Sequence, residues 1–191
     1  MRRVRRHSIS SMKKLFLGLV AMLAIFSFSA NAQSVSEDFK SLDKLVEKLA
    51  KACAKAPKPC GEGDIDAFVE GNQIAALGAV ETAQKLHTLY SRQIGETTDG
   101  VQDVTVTKPT LEDWTALAAN VATQTAGMAE LGVSGKKAAE AVKNADKMKA
   151  IKLAKPVKWA TDIIPVTGEA LAEEAKAIDK IISLLKSENN L

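Results

Sequence analysis

Aromatic side chains are scarce: five Phe, two Trp and one Tyr make up 4% of the 191 residues. That leaves little for the stacking platforms on which sugar and single-stranded nucleic-acid sites are built. Histidine is scarcer still, with only His7 and His87. A di-iron bundle needs paired Glu-x-x-His motifs, and a zinc site needs four ligands, so neither metal centre can be assembled around histidine here. No Gly-x-Ser-x-Gly elbow occurs, and one central histidine is thin material for a Ser-His-acid triad. The two cysteines, Cys53 and Cys60, are separated by Ala-Lys-Ala-Pro-Lys-Pro, which is not the C-x-x-C of a redox or haem-attachment site.

What is present begins with an address. Arg2, Arg3, Arg5, Arg6, Lys13 and Lys14 precede an almost unbroken apolar run, Leu15–Phe28, and no acid lies before it. The run is shorter than the roughly 20 residues a spanning helix needs. Ser29-Ala30-Asn31-Ala32 follows, with small residues at both positions a signal peptidase must accept. A cationic start, a short apolar core and Ala-x-Ala predict a secretory leader over residues 1–32, cleaved before Gln33, and a periplasmic or extracellular destination. Met12-Lys13-Lys14 would also serve as a start. The leader takes six of the 26 basic residues and none of the 23 acids, so a net charge of +3 becomes −3 over residues 33–191. The apparent basicity belongs to the leader, and the basic footprint expected of a nucleic-acid binder disappears with it.

Residues 33–191 read as one all-α domain, an antiparallel bundle of about five helices. Phe39, Leu42, Val46, Leu49, Cys53 and Ala56 form one apolar stripe, ended by Pro57 and Pro59. Asp64 is the expected cap of a second helix reaching about Gln93, with Val69, Ala76, Val80, Ala83, His87 and Tyr90 on one side. Thr110 and Asp113 resemble a capping box for a third, striped by Trp114, Leu117, Val121, Met128 and Leu131. Gly132 and Gly135 punctuate it, Ser134 opens a fourth to about Leu153, and Pro156 and Pro165 separate a last helix over about 167–187. That helix is expected to bury Ala170, Ala177, Ile178, Ile181, Ile182 and Leu185. Small residues every fourth position (Gly71, Ala75, Ala79, Ala83; Ala118, Ala122, Ala126) predict a close antiparallel pairing of the second and third helices. Residues 95–109 lack helical period; Asp99-Gly100 and the alternation through Val104 and Val106 predict a short β-hairpin or an extended flap.

In an exported chain Cys53 and Cys60 are expected as a local disulfide, worth about 2.5 kcal/mol in the chain-entropy picture. His87 is expected as a packed or half-exposed residue of the second helix rather than a base. Asp162 and Glu169 flank Pro165 and are the one carboxylate pair that a break there could bring together; Glu173 and Glu174, being adjacent, diverge on a helix. Asp99 and Asp103 do not match a calcium-loop pattern. No catalytic residue, metal ligand or cofactor is assigned.

Charge is the most uneven property. Residues 33–135 sum to −6 and 159–191 to −3, whereas 136–158 sum to +6. That block holds Lys136, Lys137, Lys143, Lys147, Lys149, Lys152, Lys155 and Lys158, interleaved with Met148, Ile151, Leu153, Val157 and Trp159. Its lack of Arg argues against nucleic acid, where the guanidinium fork dominates. Two readings remain: a solvated face paired with Glu169, Glu173 and Glu174, or a cationic amphipathic segment over 143–159 lying on anionic lipid. The expectation is therefore an exported, non-catalytic interaction protein, with a protein partner or an anionic envelope component. Its candidate contact residues are Thr97, Asp99, Val104 and Val106 in the long loop and Lys143, Lys147, Lys149, Lys152, Lys155, Lys158 and Trp159 in the lysine block. Membrane-surface binding through 143–159 is the alternative.

Overall fold

The computed structural model describes residues 33–95 and 107–188. They form four helices: α1 (Gln33–Cys53), α2 (Gly63–Ile94), α3 (Leu111–Asn144) and α4 (Lys147–Glu188). No strand occurs among the described residues. The leader expected over residues 1–32 lies outside them, as does the 96–106 part of the 95–109 segment expected as a hairpin or flap. At 1.5 Å per residue, α2, α3 and α4 run about 48, 51 and 63 Å.

Each helix carries a stripe of alternating three- and four-residue steps. In α1 it is Phe39, Leu42, Val46, Leu49 and Cys53; in α2 it is Ile65, Val69, Asn72, Ala76, Ala79, Ala83, Leu86 and Tyr90, all buried. In α4 it runs unbroken through Leu153, Pro156, Ala160, Ile163, Thr167, Ala170, Glu174, Ala177 and Ile181, again all buried. This 3.5-residue period is the spacing of ridges-into-grooves packing between nearly antiparallel helices. In α3 the stripe is buried at Trp114, Leu117, Val121 and Ala138 and half-exposed between them.

The helices alternate in direction. Phe39 stacks 4.9 Å from Tyr90, while Asp43, one turn later, reaches back to His87 at 2.8 Å. Thr82 meets Asn120 and Gln124 of α3, and Gly71 sits under Leu131. The Trp159 indole N–H of α4 donates to the Ala52 carbonyl at 3.2 Å. α2 and α4 pack on each other and on both remaining helices, with α1 and α3 flanking them. One end of the bundle therefore gathers the end of α1, the start of α2, the end of α3 and the start of α4.

Several expectations are corrected. Four helices replace five, because α3 passes through Gly132 and Gly135 without stopping. Gly135 is a point of close approach: a Cβ there would lie 3.1 Å from the Phe68 ring. The break falls instead at Ala145, whose extended backbone (φ −76, ψ 153) ends α3, and at Asp146, whose Oδ1 accepts the Lys149 N–H at 2.9 Å. Pro156 and Pro165 do not divide α4. Each costs about 3 kcal/mol or more in a helix interior. The stripe that spans both keeps one register, and burying it as one helix outweighs that cost at about 1.5–3 kcal/mol per large aliphatic side chain.

Asp64 does not cap α2. Glu62 holds that position without a side-chain bond, and Asp66 reaches back to accept the Cys60 and Gly61 N–H groups at 2.7 and 3.0 Å. The α2–α3 pairing is close, but its α3 side uses Asn120, Gln124 and Leu131; Ala122 and Ala126 face solvent. The capping box is present as expected, Thr110 Oγ1 accepting the Asp113 N–H and Asp113 accepting the Thr110 N–H. α2 ends on Gly95 in the left-handed region (φ 71), a conformation open to glycine at no steric cost. Beyond it, the Arg92 guanidinium donates to the Thr107 carbonyl at 2.9 and 3.2 Å.

Candidate functional site

The lysine block lies across the α3–α4 turn. Lys143 closes α3, where a cation suits the helix dipole. Lys147 and Lys149 open α4, where it does not, and the first turn of α4 contains no acid. Lys149 forms an ion pair with Glu62, pinning the start of α4 to the start of α2. That hydrogen bond, and then the Glu62 charge, raise the Lys149 ammonium above its usual range. Lys158 donates to both oxygens of Asp162 at 2.9 and 2.6 Å, one turn along the same helix.

The rest are unspent. Lys143, Lys147, Lys152 and Lys155 are exposed and make no ion pair with a described residue. At 100° per residue, Lys147, Met148, Ile151, Lys152 and Lys155 share one outward arc of α4. Met148 and Ile151 are 73% and 72% exposed within it. The inward arc is occupied by Leu153, Pro156 and Ala160.

Both readings of the block are changed by this geometry. Pairing with the acidic flanks does occur, but through Glu62 and Asp162 rather than Glu169, Glu173 and Glu174, because α4 is a single rod. From Lys147 to Glu169 is about 33 Å along its axis, and from Lys158 about 16 Å. Trp159 is not a membrane-facing terminus, since its ring packs against the core and its N–H is held by Ala52. The apolar side of segment 143–159 is therefore turned into the bundle at Leu153 and Trp159, and Met148 and Ile151 are its exposed large apolar residues. The antiparallel order brings two further lysines to this end, Lys55 and Lys58 of the α1–α2 linker, both exposed. Reading charge block by block missed them, although the Pro57 and Pro59 stop signals already placed them at a chain reversal.

The other candidates resolve differently. Cys53 and Cys60 are not bonded to each other: Cys53 belongs to the inward stripe of α1, and Cys60 lies on the exposed linker that Asp66 holds. Burial pushes the Cys53 thiol up to about 11. Cys60 is also raised, by desolvation first and then by the nearby Asp66 carboxyl. Both shifts favour the thiol over the reactive thiolate. His87 Nε2 lies 2.8 Å from Asp43 Oδ1 and its ring is 4.6 Å from that of Phe39, so it clips α2 to α1. Asp162 and Glu169 do not face a cleft. Both are exposed on the continuous helix, about 10 Å apart along it.

No group of acids, cysteines and histidines able to hold a metal occurs among the described residues. No helix among them is long and apolar enough to cross a membrane. Thr97, Asp99, Val104 and Val106 lie outside the described residues, as does Asp103. An open groove of about 620 Å³ runs between α2 and α3, lined by small and uncharged residues such as Gly71, Ala75, Asn120 and Gly127.

Glu174, expected among the acids that could meet the lysine face, is instead sealed in the core. Glu174 is fully buried in the centre of α4, and neither carboxyl oxygen has a hydrogen-bond partner. Trp114 Nε1, Gln93 Oε1 and Gln124 Oε1 are also buried without a partner among the described residues, whereas Asn72 is bonded to the Phe68 carbonyl at 2.7 Å, Thr167 to that of Ile163 at 2.9 Å and Thr82 to Gln124 at 2.7 Å. Desolvation raises the Glu174 carboxyl to about 8. Its place in the α4 stripe, three and four residues from Ala177 and Ala170, was the available signal.

No protein-family profile matches the chain, and no curated protein or solved structure matches it.

Proposed function

We propose that the protein is an exported, non-catalytic helical interaction protein that meets an anionic component of the cell envelope with the lysine end of its bundle. One observation carries the reading: Met148 and Ile151, 73% and 72% exposed, lie side by side between Lys147, Lys152 and Lys155. Single exposed apolar residues are ordinary on a protein surface. Two neighbours ringed by unpaired charges, at a helix start where those charges cost stability, are better explained by a partner. Export rests on the leader-like residues 1–32. The non-catalytic reading is supported by how the candidate groups are engaged: His87 with Asp43, Asp162 with Lys158, and Cys53 in the core.

A photo-cross-linking residue at Ile151, with one at Ala126 on the exposed face of α3 as control, tests this in cells making the full chain. Adducts are expected from position 151, and they should weaken when Lys147, Lys152 and Lys155 are changed to Glu. Equal labelling from both positions, or none from 151, would overturn the proposal.

A further inference from the structure

Resting on that reading, we infer that the anionic component is a phospholipid surface, met end-on, with Met148 and Ile151 entering the headgroup layer and the lysines around them on its phosphates. Five exposed lysines without an ion pair to a described residue stand at this end or just below it: Lys55, Lys58, Lys147, Lys152 and Lys155. The acids at the same end are largely engaged. Glu62 is held by Lys149, Asp66 accepts two linker N–H groups, and Asp146 caps α4, leaving Asp64 and Glu140 exposed. The surface is thus cationic with a small apolar centre.

Its composition separates lipid from protein. Protein interfaces centre on aromatic and Arg anchors and are depleted in Lys. This end has no Arg, and its one nearby Trp is turned inward to Ala52. Lysine heads on flexible stems suit a diffuse anionic layer instead, since the stems lie along apolar surface while the ammonium groups stay among phosphates. Two exposed apolar side chains are enough for shallow insertion at the headgroup boundary and too few for a protein core contact. The inward stripe of α4 is occupied by α1, α2 and α3, so the apolar contact open to lipid at this end is that of Met148 and Ile151.

Co-sedimentation of the exported protein with vesicles of phosphatidylglycerol and phosphatidylcholine, and with phosphatidylcholine alone, tests the inference. Binding is expected on the anionic vesicles only, weakening with salt. Lys147→Glu/Lys152→Glu/Lys155→Glu should lower the partition on the order of a hundredfold, at about fivefold or more per lysine. Met148→Ser/Ile151→Ser should lower it about tenfold. Circular dichroism confirms that each variant remains helical, and all share the same N-terminus, so differences report the lysine end. Equal binding by wild type and the lysine variant, or to both vesicle types, would overturn lipid recognition. A lysine effect without a Met148/Ile151 effect would overturn insertion. Cross-linking at Ile151 that persists without vesicle binding would leave an acidic protein as partner and refute lipid alone; absence of both would refute the underlying proposal too.

Discussion

Changing Glu174 to Leu is expected to stabilise the bundle, and by an amount that grows with pH. Burial without a partner lifts this carboxyl from its ordinary 4.5 to about 8, so the folded chain keeps a proton that the unfolded chain releases. Below about pH 4.5 both states are protonated and the group carries no pH-dependent penalty. As pH rises from there, the wild type loses about 1.4 kcal/mol per unit, until the folded-state proton also leaves near pH 8 and the slope ends. The shift from 4.5 to about 8 corresponds to about 5 kcal/mol at pH 9, of which about 3 kcal/mol is already lost at pH 7. Leu fits the three- and four-residue stripe and removes the ionisable group. Urea unfolding at intervals between pH 4 and 9 measures the difference between wild type and variant. Taking that difference cancels the opposite slope from Asp66 and Asp113, whose carboxyls are held low by backbone N–H groups. Glu174→Gln serves as a second variant of nearly the wild-type shape; it should flatten the curve in the same way. Parallel wild-type and variant curves would refute the reasoning, since Glu174 would then be ionised in the folded state at no cost.

Two further perturbations probe the packing. Gly135→Val places branched carbon against the Phe68 ring, already 3.1 Å from where a Cβ would sit, and should destabilise by about 1–3 kcal/mol in the same urea assay. Gly132→Val, with nothing within 4 Å of its Cβ position, is the control that should not show that loss. Under reducing conditions a chromogenic disulfide should titrate one thiol in the folded protein, Cys60, and the second, Cys53, only on unfolding. Prompt reaction of both would show that the Cys53 end of α1 opens readily.

Periodicity was a better guide than punctuation. The stripe of α1 and the Thr110–Asp113 capping box stand where spacing placed them. Gly132, Gly135, Pro156 and Pro165 carry the local signals of boundaries, and none of them is one. The three- and four-residue alternation includes Gly135 and Pro156 and continues on both sides of Gly132 and Pro165, so the longer-range pattern already contradicted the local signal. Tertiary burial won because a stripe of nine buried residues on α4 outweighs two missing N–H groups. The true break, at Ala145 and Asp146, has no Gly or Pro to announce it. The candidate site was half visible: the lysines and their apolar neighbours were evident, but which neighbours remain open was not. Leu153 and Trp159 share the segment with Met148 and Ile151, and only the positions of α1, α2 and α3 decide which pair is covered.

By itself, the sequence determined an all-helical chain with a leader-like start, an aliphatic core and a concentrated lysine block. Those properties follow from composition and local spacing, which depend on neighbours a turn away. Only the tertiary structure decided that Lys55 and Lys58 join that block's end, that the acids of 169–174 are out of its reach, and that Glu174 is sealed without a partner. Each depends on the direction and register of helices distant in sequence. Those are set by how four stripes bury one another rather than by any residue's own preference.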